Sequence, residues 1–515
     1  MDVITIDTPQ LGDRSYLVHD GTSALVIDPQ RDTDRLEAAV RNAGVKITHV
    51  AETHIHNDYL TGGLMLAKAH GAEYLVNAAD PVDYERTPVA DGEVFQVGDL
   101  SVKAVATPGH THTHLSYIVS DGQGQAVFSG GSLLYGSVGR TDLVSDDDTE
   151  TLTRNQYASA RRLVAEAVQD APLYPTHGFG SFCSSGPAAQ VDSSTIGEQA
   201  RDNHALTDPD EDHFVSELIA NLSAYPAYYA HMSPLNIEGP GPADLTVPES
   251  VDAGELGRRL NDGEWVIDLR NRVAFASNHL DGSVSFEYGD GSSFTGYLGW
   301  VLPWNDKLTL LGTHEDVENA IRDLSRIGID SPDTATGGGP AEWAHGVPTA
   351  KYPRVGWDEV PRGSTGDEVI LDVRRTDEFE TSHIRGAVNI PVHDLPSRMG
   401  DVPPQRLWVH CASGYRSGIA ASLLQRAGKD VVHIDAMFNE AESVGLPMAE
   451  SSPLLTATAF ALAHQALLFR ARFAAAALRT GPARLATAIE EATEAGIAAV
   501  SIGGAPAAHG PSRWW

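Results

Sequence analysis

Two phrases in this chain repeat one another: WVIDLRNRVAFASNHLDGSVSF from Trp265 and VILDVRRTDEFETSHIRGAVNI from Val369. Each runs from an apolar stretch into Asp-x-Arg, then through a polar segment carrying His and Gly, then into a second apolar stretch. Short apolar runs bounded by turn residues read as buried strands. A phrase of this kind returning after about a hundred residues is an internal repeat, so the chain must build one small α/β unit twice. The new rhythm begins at Val251, and SPDTATGGGPAEW, from Ser331, reads as the linker between the copies.

A chain of 515 residues exceeds what one core supports, so two to four domains are expected. Ahead of the repeats, YLVHDGTSALVIDP reads as a hairpin around Asp20-Gly21, and GLMLAKAHG as a helix closed by Gly71. Residues 191–245 turn polar and then rich in Tyr and Pro, which reads as a helical extension ending in a linker. The expected boundaries are 1–245, 246–345 and 346–450, with an alanine-rich, helix-prone tail at 451–515 that carries no recognisable chemistry.

The formal charge is −34, from 70 acidic and 36 basic residues, which argues against nucleic acid and anionic membrane as partners. No run of eighteen or more apolar residues is present, so no membrane span is expected. The first twenty residues lack a signal-peptide pattern and only two cysteines occur, far apart, so a cytoplasmic, reducing location is expected. A homo-oligomer is compatible with all of this.

In the second repeat, LWVHCASGYRSGIAASLL delivers Cys411 at a strand end, with Arg416 at the start of a helix. The loop between them, Ala412, Ser413, Gly414 and Tyr415, with Ser417 just beyond, is short enough to aim backbone N–H groups at one point. The helix N-terminus and Arg416 favour a thiolate or a persulfide anion there. A cysteine merely packed at a strand end beside a surface arginine is the plainer alternative. In the first repeat, KLTLLGTHEDVENAI offers Gly312 and Thr313 where that thiol would stand.

Histidines cluster before residue 190. ETHIHNDYLTGG supplies His54, His56 and Asp58, with Tyr59 where a further histidine would complete HxHxDH. TPGHTHTH supplies His110, with His112 and His114 behind it, and YPTHGFGSFC supplies His177 and, six residues later, Cys183. Several strand-end loops thus deliver His or Asp, as a metal cleft between two sheets requires. Cys183 is a candidate thiol relay, although no basic neighbour in SFCSSG would activate it and a buried small hydrophobe is the commoner fate of a cysteine. Tyr228, Tyr229 and His231 could line a thiol-substrate cleft or serve as core contacts of the extension.

These phrases resemble known families. The stretch from Asp372 through Arg416 is similar to rhodanese-type sulfurtransferases, which implies that Cys411 carries sulfane sulfur as a persulfide, and that the first copy is a rhodanese-like domain without the nucleophile. The first two hundred residues resemble the metallo-β-lactamase superfamily, and within it the persulfide dioxygenases, through GSVGRTDL at 136–143 and the order of the domains. The implied fold is α/β: a metallo-β-lactamase αββα sandwich followed by two rhodanese-like α/β domains. The implied iron ligands are His54, His110 and an Asp whose place is taken here by Gly131. Three readings of the metal site follow. His54, His56 and His110 could hold Zn(II) with an open fourth position. His54 and His110 could hold Fe(II) with water or Asp58. Or the domain is a metal-free scaffold.

The resemblance implies an enzyme oxidising a low-molecular-weight thiol persulfide with O2 to sulfite, coupled to sulfur transfer through Cys411 among persulfide, sulfite and thiosulfate. Its alternatives are a sulfurtransferase on a non-catalytic scaffold, a mononuclear zinc thioester hydrolase, and a non-enzymatic sulfur carrier or redox sensor using Cys411.

Overall fold

The strand Asp13–His19 shows how the N-terminal half is layered. Tyr16 and Val18 enter one core with Leu25, Ile27, Tyr117 and Phe128, while Leu17 enters another with Val26, Leu36 and Val50. Side chains alternate along a strand, so apolar residues on both faces mean that both faces are covered. This sheet runs in sequence order through Asp2–Thr8, Asp13–His19, Ser23–Ile27, Lys46–Ala51, Glu73–Asn77 and Thr87–Val89. A second six-stranded sheet, from Val94–Val97 to Ser194–Thr195, faces it across the core that holds Tyr16 and Phe128. Helices Asp34–Ala43 and Gly63–His70 contribute Leu36, Val40 and Leu64 to the outer core of the first sheet. Helix Thr149–Glu166 covers the second through Tyr157, Ala160 and Leu163. This is the αββα sandwich. Its hairpin turns where expected, with Asp20 Oδ1 accepting the Thr22 and Ser23 N–H groups at 2.7 Å each, and helix Gly63–His70 closes on a left-handed Gly71.

The computed structural model describes residues 1–189, 191–289, 291–361 and 367–450, and the tail at 451–515 lies outside the described residues. Residues 1–448 form one compact unit. Among the described residues no helix is long and apolar enough to cross a membrane. The 191–245 extension is helical as read: Ile196–Asp202, His204–Thr207, Glu211–Ala220 and Tyr229–Glu238.

The sequence repeat is a structural repeat. A four-stranded parallel sheet has the order Val284–Ser285, Trp265–Asp268, Leu308–Gly312, Asp333–Thr336. A five-stranded parallel sheet follows the same order, Val388–Asn389, Glu368–Asp372, Arg406–His410, Val431–Ile434, and adds Arg354–Val355 at its edge. The Asp-x-Arg phrase has one job in both copies. Arg270 forks onto Asp268 and reaches Asn278 O, and Arg374 forks onto Asp372 and reaches Ser382 O. The next residue is a histidine whose Nδ1 meets a carbonyl four residues back, His279 to Phe275 and His383 to Phe379, both at 2.8 Å. One expectation changes: SPDTATGGGPAEW is not a linker, because Asp333–Thr336 is the outer strand of the first sheet and Pro340–Trp343 is a helical turn. Its strand is too short and polar to show a period, yet Thr334 and Ala335 are buried.

The first repeat is fixed to the sandwich by a buried ion pair. Arg326 donates to both oxygens of Asp32, at 3.0 and 2.7 Å, and Arg35 adds a bond at 2.7 Å. Burial works against the Asp32 charge, but Arg326 and Arg35 overcome it and hold the carboxyl at about 2. Asp32→Asn leaves Arg326 without its main counter-charge and is expected to cost about 3–5 kcal/mol, read by urea denaturation. Because the folded pKa is depressed, this contribution is complete above the unfolded value of about 3.9 and is lost as pH falls toward 2.

Candidate metal centre and thiol loop

Loops at the ends of strands from both sheets bring three imidazoles together. His54 follows strand Lys46–Ala51, His110 follows Leu100–Ala106, and His177 follows Pro172–Pro175. All three are buried, and one ring nitrogen from each lies within 4.8 Å of the others. Their outer nitrogens are committed elsewhere. Thr53 gives its hydroxyl proton to Asp28 Oδ2 at 2.8 Å and so accepts from His54 Nδ1 at 2.9 Å. His110 Nδ1 donates to Arg140 O at 2.7 Å. His177 Nδ1 donates to Asp13 Oδ1 at 2.8 Å, with Asp58 Oδ2 at 3.3 Å. The inner nitrogens are therefore Nε2 in every case. His177 Nε2 lies 3.4 Å from His54 Nε2, and His110 Nε2 is buried with no hydrogen-bond partner.

This donor set fits a mononuclear metal. Burial and the neighbouring histidines hold His54 well below its ordinary value, and burial with His177 holds His110 at about 3, so both present neutral lone pairs. His177 is the opposite: burial opposes its charge, but Asp58 and Asp13 push it well above the imidazole range. The cluster thus favours a positive charge at its centre, and backing by Asp13 is the carboxylate–histidine arrangement that orients metal ligands. Burial and Asp58 push Asp13 up, while His177 holds Asp58 down against its burial.

His56, expected beside His54 and His110 as a ligand, is not in their group: it converges with Asp58 and His177 in one adjoining set and with Asp28 and Glu52 in another, and its Nδ1 is buried without a hydrogen-bond partner. Its Nε2 faces Tyr59 Oη at 3.0 Å, Asp28 Oδ1 at 3.3 Å and Glu52 Oε2 at 3.4 Å, and its ring stacks on Tyr59. Burial opposes its charge, yet Asp28 and Glu52 raise it to about 9. Asp58, expected to complete the shell of His54 and His110, is directed instead at His177 Nδ1.

The absence of an aspartate at 131 has a steric reason. A Cβ on Gly131 would lie 2.3 Å from His110 Cδ2, and one on Gly139 would lie 2.8 Å from His110 Nδ1. The His110 ring occupies a slot between two glycines, so the third ligand direction comes from His177. Gly131→Asp is expected to displace His110, cost about 1–3 kcal/mol by overpacking and lower metal content, read by urea denaturation and elemental analysis. The slot is closed by Arg140, which pairs with Asp142 through two bonds of 2.7 Å and donates to Phe182 O and Ser223 O.

A cavity of about 670 Å³ is lined by Ile55, Asn57, Thr111 and His112, chain neighbours of His54, His56 and His110, and by Tyr225 and Tyr229 among others, while the three histidines themselves are buried behind it. Of the aromatic group read from PAYYAHM, Tyr229 lines this cavity, Tyr228 is buried, and His231 stacks on Trp304 at 4.2 Å.

Cys411 stands where the second repeat places it. Strand Arg406–His410 is paired so that His410 lies opposite Asp372, and the next residue is Cys411. In the first repeat Leu311 lies opposite Asp268, and the next residue is Gly312. Helix His314–Arg326 starts directly after Thr313, whereas helix Tyr415–Arg426 starts after a loop ending in a left-handed Gly414. Cys411 Sγ accepts the Gly414 N–H at 3.2 Å and lies 3.4 Å from Ser417 Oγ. Arg416 is held by Glu378 in a two-pronged ion pair, 2.5 and 2.8 Å. A cavity of about 520 Å³ reaches this loop, walled by Ser413, Tyr415 and Arg416 from the second repeat and by Arg272, Glu287 and Tyr297 from the first.

The metallo-beta-lactamase superfamily profile matches residues 11–177, and the rhodanese-like domain profile matches residues 358–441. The chain carries a metallo-beta-lactamase domain followed by a rhodanese-like domain. A hydroxyacylglutathione hydrolase of Rhizobium johnstonii is 37% identical over 121 residues, 23% of this chain and 46% of that protein. The chain thus spans about half the length of those hydrolases. The mitochondrial persulfide dioxygenase of Homo sapiens is 24% identical over 244 residues, 47% of this chain and 84% of that protein. The crystal structure of a metallo-beta-lactamase from Staphylococcus aureus subsp. aureus COL superposes with a TM-score of 0.58 at 26% identity, covering 65% of this chain and 98% of that one.

In the metallo-beta-lactamase domain, Cys183 does not have the surroundings of a relay thiol. It is fully buried in an apolar cluster, its Sγ faces Tyr229 Oη at 3.8 Å, and burial pushes its pKa well above the thiol range. Asp13, Asp28, Glu52 and the Gly131–Gly139 slot are functional features the motifs do not announce. In the rhodanese-like domain the missed residue is Glu378, which belongs to the DEFET phrase but carried no expected role.

Proposed function

We propose that this chain is a sulfur-metabolism enzyme with two stages. The metallo-beta-lactamase domain oxidises a low-molecular-weight thiol persulfide: one persulfide, one O2 and one water give thiol, sulfite and two protons. The rhodanese-like domain moves sulfane sulfur. The Cys411 thiolate attacks the outer sulfur of a persulfide, the thiol leaves with the proton, and sulfite then takes the sulfur from the Cys411 persulfide as thiosulfate. The carrying observation is Cys411 itself, seated at a loop with the Gly414 N–H and the Ser417 hydroxyl against its sulfur, Arg416 two residues beyond Gly414, and a cavity lined by Ser413, Tyr415 and Arg416 of that loop. The first copy, with Gly312 at the equivalent position, acts as a rhodanese-like wall of that cavity through Arg272, Glu287 and Tyr297.

For the first stage, His54, His110 and His177 would hold one Fe(II) or Zn(II). Bound iron would supply O2 activation. The chain's own part is to keep His54 and His110 neutral, to orient His177 through Asp13, and to offer the substrate a cavity lined by Thr111, His112, Tyr225 and Tyr229. The likeness to persulfide dioxygenase over 84% of that protein's length supports this reading.

The three-histidine donor set also favours a second reading, a mononuclear zinc hydrolase of a thioester. The experiment that separates them uses protein purified without oxygen: metal per chain, O2 uptake with glutathione persulfide, and sulfur transfer from the same persulfide to sulfite under nitrogen. Iron with O2 uptake supports the two-stage reading. Zinc with oxygen-independent thioester hydrolysis replaces its first stage. Sulfur transfer with neither leaves a sulfurtransferase on a scaffold.

A further inference from the structure

Beyond His177 in the chain, the helical extension assembles a second set of metal-ligating groups. His204 begins the short helix His204–Thr207, Asp208 caps it, and His213 and Glu217 lie one turn apart on helix Glu211–Ala220. One ligand atom from each of the four lies within 4.8 Å of the other three. His204 Nε2 is 3.5 Å from both Asp208 Oδ2 and Glu217 Oε2, and His213 Nδ1 is 2.7 Å from Asp208 Oδ2. In a tetrahedral zinc site with bonds near 2.0–2.1 Å, ligand atoms are separated by about 3.3–3.4 Å. Two of the three separations therefore match a tetrahedron's edge, and the third is a hydrogen bond that must open by a fraction of an ångström.

A salt-bridged surface cluster would explain carboxylates beside histidines, but the charge balance points to a cation. Among the described residues, Asp208 and Glu217 form ion pairs only with these two imidazoles, and no Lys or Arg is within ion-pair distance of either carboxylate. With neutral imidazoles the remaining positive group is Arg161, which donates to the Asp208 backbone carbonyl and acts on its carboxylate from beyond ion-pair distance; one distant charge beside two carboxylates is an arrangement a dication satisfies. Each histidine stands four residues before a carboxylate, a spacing that puts both ligands of each pair on one side of a helical turn.

We propose that His204, Asp208, His213 and Glu217 form a structural zinc site, closed by four protein ligands and independent of the metallo-beta-lactamase centre. Zinc there clips the short helix to helix Glu211–Ala220. That helix packs through Phe214 on Tyr157, ring centroids 5.2 Å apart, and residue Asn203 beside the clip holds the Leu134 and Ser137 carbonyls.

The test titrates metal-stripped, full-length protein with Zn2+ against a chromophoric chelator, wild type beside His204→Ala/His213→Ala. The expected result is one zinc equivalent fewer in the double variant, whatever the first centre binds. Co2+ in place of zinc should give tetrahedral absorption bands that are absent from the variant's spectrum. Glu217→Gln keeps the helix and is expected to weaken the same equivalent by roughly tenfold or more, since losing a ligand exceeds the loss of an outer-shell partner. The side chains of His204 and His213 are 51% and 63% exposed, so both variants should fold, checked by circular dichroism. Equal zinc stoichiometry and equal cobalt spectra in wild type and double variant would overturn the proposal.

Discussion

Cys411→Ser is expected to abolish sulfur transfer from persulfide to sulfite, by a factor of about 10³ or more in kcat/KM, while leaving metal content unchanged. The hydroxyl is not a nucleophile at neutral pH, and it cannot hold sulfane sulfur. The surroundings of Cys411 leave no substitute. Cys411 is buried, and Gly414 N–H and Ser417 Oγ are the groups set against its sulfur. His433 sits against that hydroxyl. Burial holds His433 at about 4, so it is neutral, and its Nε2 must carry the proton because it meets the Gly414 carbonyl at 3.0 Å. Ser417 Oγ, 3.1 Å from the same nitrogen, keeps its own proton to donate, and Cys411 Sγ at 3.4 Å is one of its acceptors beside Gly414 O at 3.1 Å and Ile434 O at 3.3 Å. Mass spectrometry after exposure to persulfide checks the result: wild type gains one sulfur atom on Cys411 and the variant gains none. Cys183 does not take over, because it is enclosed by the core and its thiol stays protonated. A variant that still transfers sulfur at the wild-type rate would remove Cys411 from the reaction.

What was legible in the sequence is what neighbouring residues decide. The hairpin at Asp20-Gly21, the cap at Gly71 and the doubled Asp-x-Arg phrase are local, and the structure uses each as read. The Cys411 loop is local too. The metal centre is not. His54 and His56 are one residue apart, but a loop residue's direction depends on what it meets, and His56 meets Asp28 and Glu52. His177 is paired with Asp13, 164 residues earlier, and no spacing rule reaches that far. Gly131 shows the same limit from the other side. As a letter it reads as a missing ligand, and only the 2.3 Å approach to His110 shows that the position is filled by another ligand's ring. The strand at Asp333–Thr336 was hidden for a simpler reason: four residues of Asp, Thr and Ala between Pro and Gly look like a turn until a neighbouring strand pairs with them.

His177→Ala is expected to empty the metal centre, taking its occupancy, counted apart from zinc on the His204–Glu217 cluster, from about one to below a tenth, while sulfur transfer through Cys411 under nitrogen persists. Two effects act together. The change removes one of three converging nitrogens, and a buried site with two imidazoles has too few donors to replace the metal's water shell. It also leaves Asp13 and Asp58 enclosed without the imidazole between them, which destabilises the apo site further. Asp13→Asn separates the two effects. It keeps the ligand and the volume but weakens the acceptor that orients His177 Nδ1, so metal affinity should fall by about 10–100-fold rather than vanish. His56→Ala is the contrast, since its Nε2 is engaged by Tyr59, Asp28 and Glu52, so its loss should cost stability more than stoichiometry. Elemental analysis and chelator competition on all three variants order them: His177→Ala, then Asp13→Asn, then His56→Ala. If His56→Ala lost the metal and His177→Ala kept it, the ligands would be those of an HxH pair, and the convergence of His54, His110 and His177 would have to be read as core packing.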